Sequence, residues 1–324
     1  MQIDQQISAL RGDHVAQRAM RRAVAKAVED CRREPAMASL LAAVEEYGAG
    51  AALADCPPLA GLFGGGDAAR RVIEPFVERL VELHRDLPLA QLAFRHQSGE
   101  GFHFLQIAAK ARATLGLALH DACAWATAVA TFPDAERHEI VLAGEAELGL
   151  LEITGETPAR VEIVEACCTV GPGSHLAFGS ARESRIMRCV RGRLLVLRLA
   201  RIGEAPQPTR QFALPSGRLI HRASGDRRES RHEMMLALLG RMGRTDAAPI
   251  MAQLVQQRAS GSAHFRWQAL RECLALDSEQ GFRALLGLCA DHHDPLSVQA
   301  DALRVQLVQT YPELARLEPL ACPA

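Results

Sequence analysis

Val141-Leu142-Ala143-Gly144-Glu145-Ala146-Glu147-Leu148 and, further on, Val170-Gly171-Pro172-Gly173-Ser174-His175-Leu176-Ala177-Phe178-Gly179 are the stretches whose reading decides the fold. Both mix apolar with small or charged residues and are broken by glycine, as strands bounded by turns are. The same period of two extends outward from them. Phe102, Phe104, Gln106 and Ala108 alternate with His103, Leu105, Ile107 and Ala109. Lys110-Ala111-Arg112 reads as a turn, after which Leu115, Leu117 and Leu119 resume the alternation. Further strands are expected at 139–143, 146–153, 159–168, 175–178, 185–190 and 193–199, with Arg191-Gly192 as a tight hairpin turn between the last two. The alanine-rich stretch 104–130 also accommodates a helix, because alanine has little preference for strand. Short strands separated by turn signals point to a sandwich or barrel.

On either side of this region the period becomes helical. Val15, Ala19, Arg22, Ala23, Lys26 and Ala27 share one helical face, a second helix is expected over 38–46, and Ala69, Val72, Phe76, Leu80 and Leu83 form a third stripe with Asp67 as its N-cap. Beyond Pro215-Ser216-Gly217, helices are expected at 229–242, 246–258, 264–276, 278–290 and 296–310. Here the chain repeats itself. Ala269-Leu270-Arg271 with Leu274 matches Ala302-Leu303-Arg304 with Leu307 at an offset of 33, and Ala237-Leu238 with Met242 matches Ala269-Leu270 with Leu274 at 32. Ile250 and Leu254 match Phe282 and Leu286 at the same offset. A recurring two-helix unit is the signature of an α-solenoid, in which each unit buries its apolar face on the next. The segment carrying Asp294, Val298, Ala302-Leu303 and Leu307 resembles the second helix of a HEAT repeat. That resemblance implies architecture and brings no functional residues with it.

Composition sets the outer limits. The 324 residues are 48% hydrophobic and 23% charged, with a net charge of −1. Such a chain can bury a core, and its charge gives no bulk attraction to nucleic acid or to an anionic membrane. Lys26 and Lys110 are the only lysines, against 35 arginines, which removes most lysine-dependent chemistry. Nine cysteines, an odd number without any C-x-x-C pair, match neither a zinc ribbon nor a thioredoxin-like motif. Asp4, Arg11, Asp13 and Arg18 interrupt any secretory apolar stretch at the start, and no uninterrupted membrane-spanning run occurs, so a cytoplasmic location is expected.

The two stretches quoted first resemble the cupin family, whose small β-barrel holds a metal in an open site through histidines and one carboxylate. Counted back from Gly144, the family's glutamate position falls on Arg137 and its two histidine positions on Thr131 and Pro133. Counted forward from Gly173, the remaining histidine position falls on Ser184. The frame is that of a cupin while all four ligand positions have changed. A shifted register would instead draw on His103, His138, Glu139 and His175, as a two-histidine, one-carboxylate site of an oxygenase-like enzyme. Against that stands the ordinary reading of these histidines, and of His96, as surface or hydrogen-bonded groups.

Other motifs carry less. Asp291-His292-His293-Asp294 falls between two helices, where polar turn residues and an Asp cap are expected. Gly64-Gly65-Gly66-Asp67 precedes a helix but has no lysine, so it reads as a linker and not as a phosphate loop. Gly-x-Ser-x-Gly is missing. Cys167-Cys168 lies in a strand-like run, so one of the two must face inward. Arg182, Arg185, Arg188, Arg191, Arg193, Arg198 and Arg201 form an unusual series. It reads either as an anion or acidic-partner site at the barrel edge, with Arg185 and Arg191 on one strand face, or as edge-strand protection and paired surface charge.

The expected organisation is an α+β multidomain protein: a helical region over 1–90, a cupin-like antiparallel barrel over 91–224 and HEAT-like helical repeats over 225–324. The expected function is non-catalytic binding or regulation, with a protein partner on the helical repeats and a homodimer through the β domain as a further possibility. No catalytic residue, cofactor or metal ligand is assigned, and neither nucleic acid nor membrane is expected as a partner. The competing reading is the metal-dependent enzyme built on the displaced ligands.

Overall fold

Among the described residues, four α-helices precede the sheet: α1 (His14–Arg33), α2 (Pro35–Ala49), α3 (Pro57–Phe63) and α4 (Ala68–Asp86). In α2 and α3 a proline stands in the first turn, where the missing N–H costs nothing. Asp67 is at the N-terminus of α4 but its side chain makes no capping hydrogen bond. The computed structural model describes residues 14–87, 90–91, 94–124, 128–157 and 160–318. These fall into two units: one runs to Glu204 and includes Arg210–His221, and the other comprises Ala205–Thr209 and the chain from Arg222.

The first unit is built on β1 (His96–Gly99), β2 (Phe102–Lys110), β3 (Ala113–His120), β4 (Cys123–Ala124), β5 (Val129–Phe132), β6 (Ala135–Glu156), β7 (Val161–Val170), β8 (His175–Phe178), β9 (Glu183–Ile202), β10 (Thr209–Ala213) and β11 (Leu219–Ala223). Stretch 104–120 is strand, as the alternation predicts, with Ala111 in a left-handed conformation at the turn (φ 46°). The main sheet is ordered β1-β2-β3-β9-β6-β7, with β8 paired to β6 and β4 to β9, and a second sheet is ordered β11-β10-β5. All the strand pairings registered are antiparallel.

Two expected pairs of strands are in fact single long ones. Runs 139–143 and 146–153 both belong to β6, and 185–190 and 193–199 both belong to β9. Arg191-Gly192 is therefore not a hairpin turn, because both halves of β9 pair with β6 in the same direction. Gly192 (φ 77°) and Gly144 (φ 87°) lie side by side at an irregularity of that ladder. Glycine adopts this conformation without the penalty a Cβ would bring.

The irregularity changes which residues face inward. Before it, Val141 points into the barrel core; after it, Ala146 and Leu148 do, where strict alternation from 141 would have chosen odd numbers. On β9 the inward apolar set is Met187, Val190, Leu194 and Val196. The opposite face of the sheet, with Leu115, Ile140, Leu197 and Leu199, shares a core with Val28, Leu40, Tyr47, Leu59 and Ile73 of the four helices. Helices and sheet are thus joined by one core in this unit.

The second unit contains α5 (Arg227–Arg241), α6 (Ala248–Gln256), α7 (Ala263–Leu276), α8 (Ser278–Ala290) and α9 (Ser297–Thr310). Asp226, Ser262 and Asp277 cap α5, α7 and α8 through their side-chain oxygens. Helix α7 packs on α5, α6 and α8, and α8 on α6, α7 and α9. The repeat offsets do not carry burial with them. Ile250 is 61% exposed while its match Phe282 is fully buried, and Ala302 is exposed while its match Ala269 is buried. In α6 it is Met251 and Val255 that reach the core. No helix among the described residues is long and apolar enough to cross a membrane.

Candidate functional site

Inside the barrel the chemistry is concentrated on β6 and β9. Glu139 is 1% exposed, and each of its oxygens receives a different arginine: Arg185 Nε donates to Oε2 at 2.5 Å and Arg198 Nε to Oε1 at 2.8 Å. Two residues before Glu139 on the same face, Arg137 is also buried, donates through Nη2 to the Glu183 carbonyl at 2.9 Å, and stacks over the Phe178 ring at 4.5 Å. Strand pairing explains the stacking, since Arg137 and Phe178 are register partners of β6 and β8. His120, at the end of β3, is the fifth member; it is buried and packs against Phe102.

Three guanidinium groups therefore surround one carboxylate. Burial would raise the Glu139 pKa, but the charges of Arg185 and Arg198 and the hydrogen bond from Arg185 outweigh it and bring the group down to about 2. Burial and then the charges of Arg185 and Arg198 push His120 down to about 4, so it is neutral at pH 7. Burial likewise lowers Arg137, to about 10, with Glu139 opposing the shift. Three donors or potential donors in this cluster are buried without a hydrogen-bond partner: Arg137 Nε, Arg185 Nη2 and His120 Nε2. A cavity of about 10 Å³ lies next to Glu139 and Arg185 among aliphatic groups such as Leu148, Leu194 and Val196.

Of the positions corresponding to cupin ligands, Arg137 faces inward. Ser184 does not: it is buried on the other face of β9, where its hydroxyl donates to the Thr131 carbonyl at 2.5 Å, and its neighbour Arg185 takes the inward position. The Thr131 side chain is exposed. A divalent cation does not fit this cluster, because three guanidinium groups would repel it and both oxygens of the single carboxylate are already engaged.

The shifted-register set is only half assembled. His138 Nδ1 and His175 Nε2 lie 3.4 Å apart with their rings stacked, and His138 Nε2 is 3.1 Å from Glu136 Oε1. Glu139 is on the opposite face of β6 from His138, and His103 pairs instead with Asp121 at 3.3 Å. The histidine pair lies against Phe63 of α3. Glu136 also receives Arg201 Nη2 at 2.5 Å, and Arg201 lies 4.1 Å over the Tyr47 ring. Among the described residues, no group of three or more histidine, cysteine or carboxylate side chains is arranged to hold a metal.

The arginine series is resolved one by one. Arg188 pairs with Glu165, Arg191 with Glu147, Arg193 with Asp121, and Arg182 donates to the Ile153 carbonyl. Paired surface charge accounts for Arg188, Arg191 and Arg193, but edge protection does not, since β9 lies between β3 and β6. Arg185 is inward and Arg191 exposed, contrary to simple alternation, because the ladder slips between them. The inward role of Arg198 and the membership of His120 were not legible in the sequence. The only hint was their place in apolar, alternating runs. In Asp291-His292-His293-Asp294 the histidines are exposed, while Asp294 is buried and paired with Arg266 at 2.7 Å. On β7, Cys167 is exposed and Cys168 half-buried.

No family model and no curated protein matches this chain. Solved structures similar to part of this chain include the Drosophila melanogaster CENP-C cupin domain, at 12% identity and a TM-score of 0.27, covering 33% of this chain and 74% of that one. Another is Drosophila melanogaster CENP-C bound to CAL1, at 12% identity and a TM-score of 0.26, over 33% and 76% of the respective chains. A putative mannose-6-phosphate isomerase from Ralstonia eutropha is 13% identical with a TM-score of 0.25, covering 33% of this chain and 89% of that one. A cupin superfamily protein from Desulfitobacterium hafniense is 14% identical with a TM-score of 0.24, over 33% and 83% of the respective chains. These neighbours are cupin-domain proteins, and each covers about a third of the chain.

Proposed function

We propose that this chain is a non-catalytic binding protein, with a cupin-like barrel whose metal chemistry has been replaced by a fixed charge cluster. The observation that carries the reading is the inward set Arg137, Glu139, Arg185 and Arg198, which presents cations where a metal site would need imidazoles and carboxylates. The helical unit supplies the surface for a protein partner. On α5 and just beyond it, Met234, Met235, Leu238 and Met242 are all more than half exposed, which groups large apolar side chains on one helix. Flexible methionines suit such a recognition surface. A HEAT-like stacking of the helix pairs would extend it.

The competing enzyme reading would have to use His138, His175 and Glu136. Metal analysis of the purified full-length chain separates the two. The binding reading expects iron, manganese and zinc to be well below one equivalent. Stoichiometric metal that disappears in His138→Ala or His175→Ala would overturn it.

A further inference from the structure

The main sheet ends in two unlike strands. At one end β1 is four residues long, His96–Gly99, and exposed throughout. At the other end β7 is ten residues long, Val161–Val170, and among the described residues its only ladder is with β6. The first residue of β7 is covered on its outer side, where the Val161 N–H donates to the Gly217 carbonyl at 2.8 Å. Backbone groups point to alternate sides along an antiparallel strand, so those of Ile163, Glu165, Cys167 and Thr169 face outward with Val161. Among the described residues, no backbone hydrogen bond from outside the ladder reaches any of these four.

This edge lacks the usual protection. Open edges are blunted by proline, by outward charge, by brevity or by a bulge. The strand has no proline and no basic residue, and the register shift of its ladder falls on β6, between Ile153 and Gly155. Its two acidic side chains lean back across β6. Glu165 passes over Gly149 to accept from Arg188 Nε at 2.7 Å, and the Glu162 carboxylate lies over Gly155. The rim that remains is neutral: Val164 is 54% exposed, and Ala166, Cys167 and Thr169 are exposed beside it.

We infer that β7 is a self-association edge, on which two copies of this chain join their main sheets by antiparallel pairing of β7 with β7 about a two-fold axis. A strand paired antiparallel with itself matches each outward donor with an acceptor and closes the contact, leaving no further copy to add. A foreign extended segment would offer the same hydrogen bonds but would first have to be ordered, whereas β7 is already held straight by β6. Strand β1 is too short to cover this edge. Charge permits the contact, since each Glu165 keeps Arg188 of its own copy as counter-ion. Centring the axis on Ala166 sets Ile163 opposite Thr169 and Glu165 opposite Cys167, which engages all four outward residues and keeps the two Glu165 side chains from meeting face to face. The two Cys167 side chains are then diagonal neighbours across the join, about 7–8 Å apart.

Light scattering on the full-length chain, over a range of protein concentrations, tests this directly. The expected mass is that of two chains. Cys167→Pro removes an outward N–H without touching the β6 ladder, and Val164→Lys puts a charge on the rim. Each should raise the dimer dissociation constant at least about tenfold while leaving the circular dichroism spectrum unchanged. Should the proline variant fail to fold, Val164→Lys decides. A short bismaleimide should couple Cys167 to Cys167 between copies of the parent chain, as read by peptide mass spectrometry. Cys167→Ser should lose that product and remain dimeric. A parent chain that is monomeric at every concentration would overturn the inference. So would a dimer that Val164→Lys leaves intact, or one in which Cys167 does not couple.

Discussion

Glu139 Oε2 accepts a hydrogen bond from Arg185 Nε at 2.5 Å with both side chains almost wholly removed from solvent, 1% and 7% exposed. Such a pair adds little net stability when complete, because desolvation offsets the attraction, but breaking it leaves an uncompensated charge in the core. Here the imbalance would be extreme, since Arg198 and Arg137 share the same carboxylate field. Glu139→Gln, close in shape but uncharged, is therefore expected to lower unfolding stability by about 3–5 kcal/mol. The urea midpoint of the variant against the parent measures this. A change smaller than about 1 kcal/mol would mean that the arginines find other counter-charges.

The cluster should make the protein acid-sensitive in two steps. His120 titrates near 4 when folded against an ordinary value of 6.5, so between those limits the unfolded chain binds the proton and the folded one does not. Stability then falls as pH drops from about 6.5 to 4, by about 3 kcal/mol if the shift is fully expressed. Glu139 adds the second step. Its folded value near 2 is below the ordinary 4.5, so its contribution is complete above 4.5 and is lost as pH falls toward 2. Urea midpoints measured at intervals from pH 7 to pH 3 should show both, and His120→Gln should flatten the upper step while sparing the lower.

Gly144 is the hinge of the long strand. A Cβ placed there would stand 1.9 Å from the Arg193 carbonyl oxygen, and its backbone φ of 87° is one that other residues adopt at a cost. Backbone cannot retreat as a flexible side chain can. Gly144→Ala is expected to cost at least about 2 kcal/mol by the same denaturation measurement. Gly192→Ala, across the ladder with open space around its Cβ position, should cost less, because only the backbone conformation penalises it.

Much of this protein was open to reading in one dimension. Period-two runs located β2, β3, β7 and β8, helical stripes located α1, α4 and the five helices of the second unit, and prolines and glycines marked the breaks. Local patterns can do this because side-chain periodicity is set by the backbone of each element alone. A count back from Gly144 also singled out Arg137 from the sequence alone, and that side chain is buried in the first unit.

Tertiary structure decided the rest. Ladder slips at Gly144 and between Cys189 and Met187 reassign the inward face, so that Arg185 enters the barrel while Arg191 stays in solvent, and Ser184 turns away from the place a count had given it. Pairing of β9 between β3 and β6 turned an apparent protected edge into the middle of a sheet. The convergence of Glu139 with Arg185 and Arg198, 46 and 59 residues further along, arises only when both long strands bend together. In the helices, repeat spacing could mark Ile250 and Phe282 as equivalent, but burial depends on which neighbour each face meets, and that is a property of packing and not of the local chain.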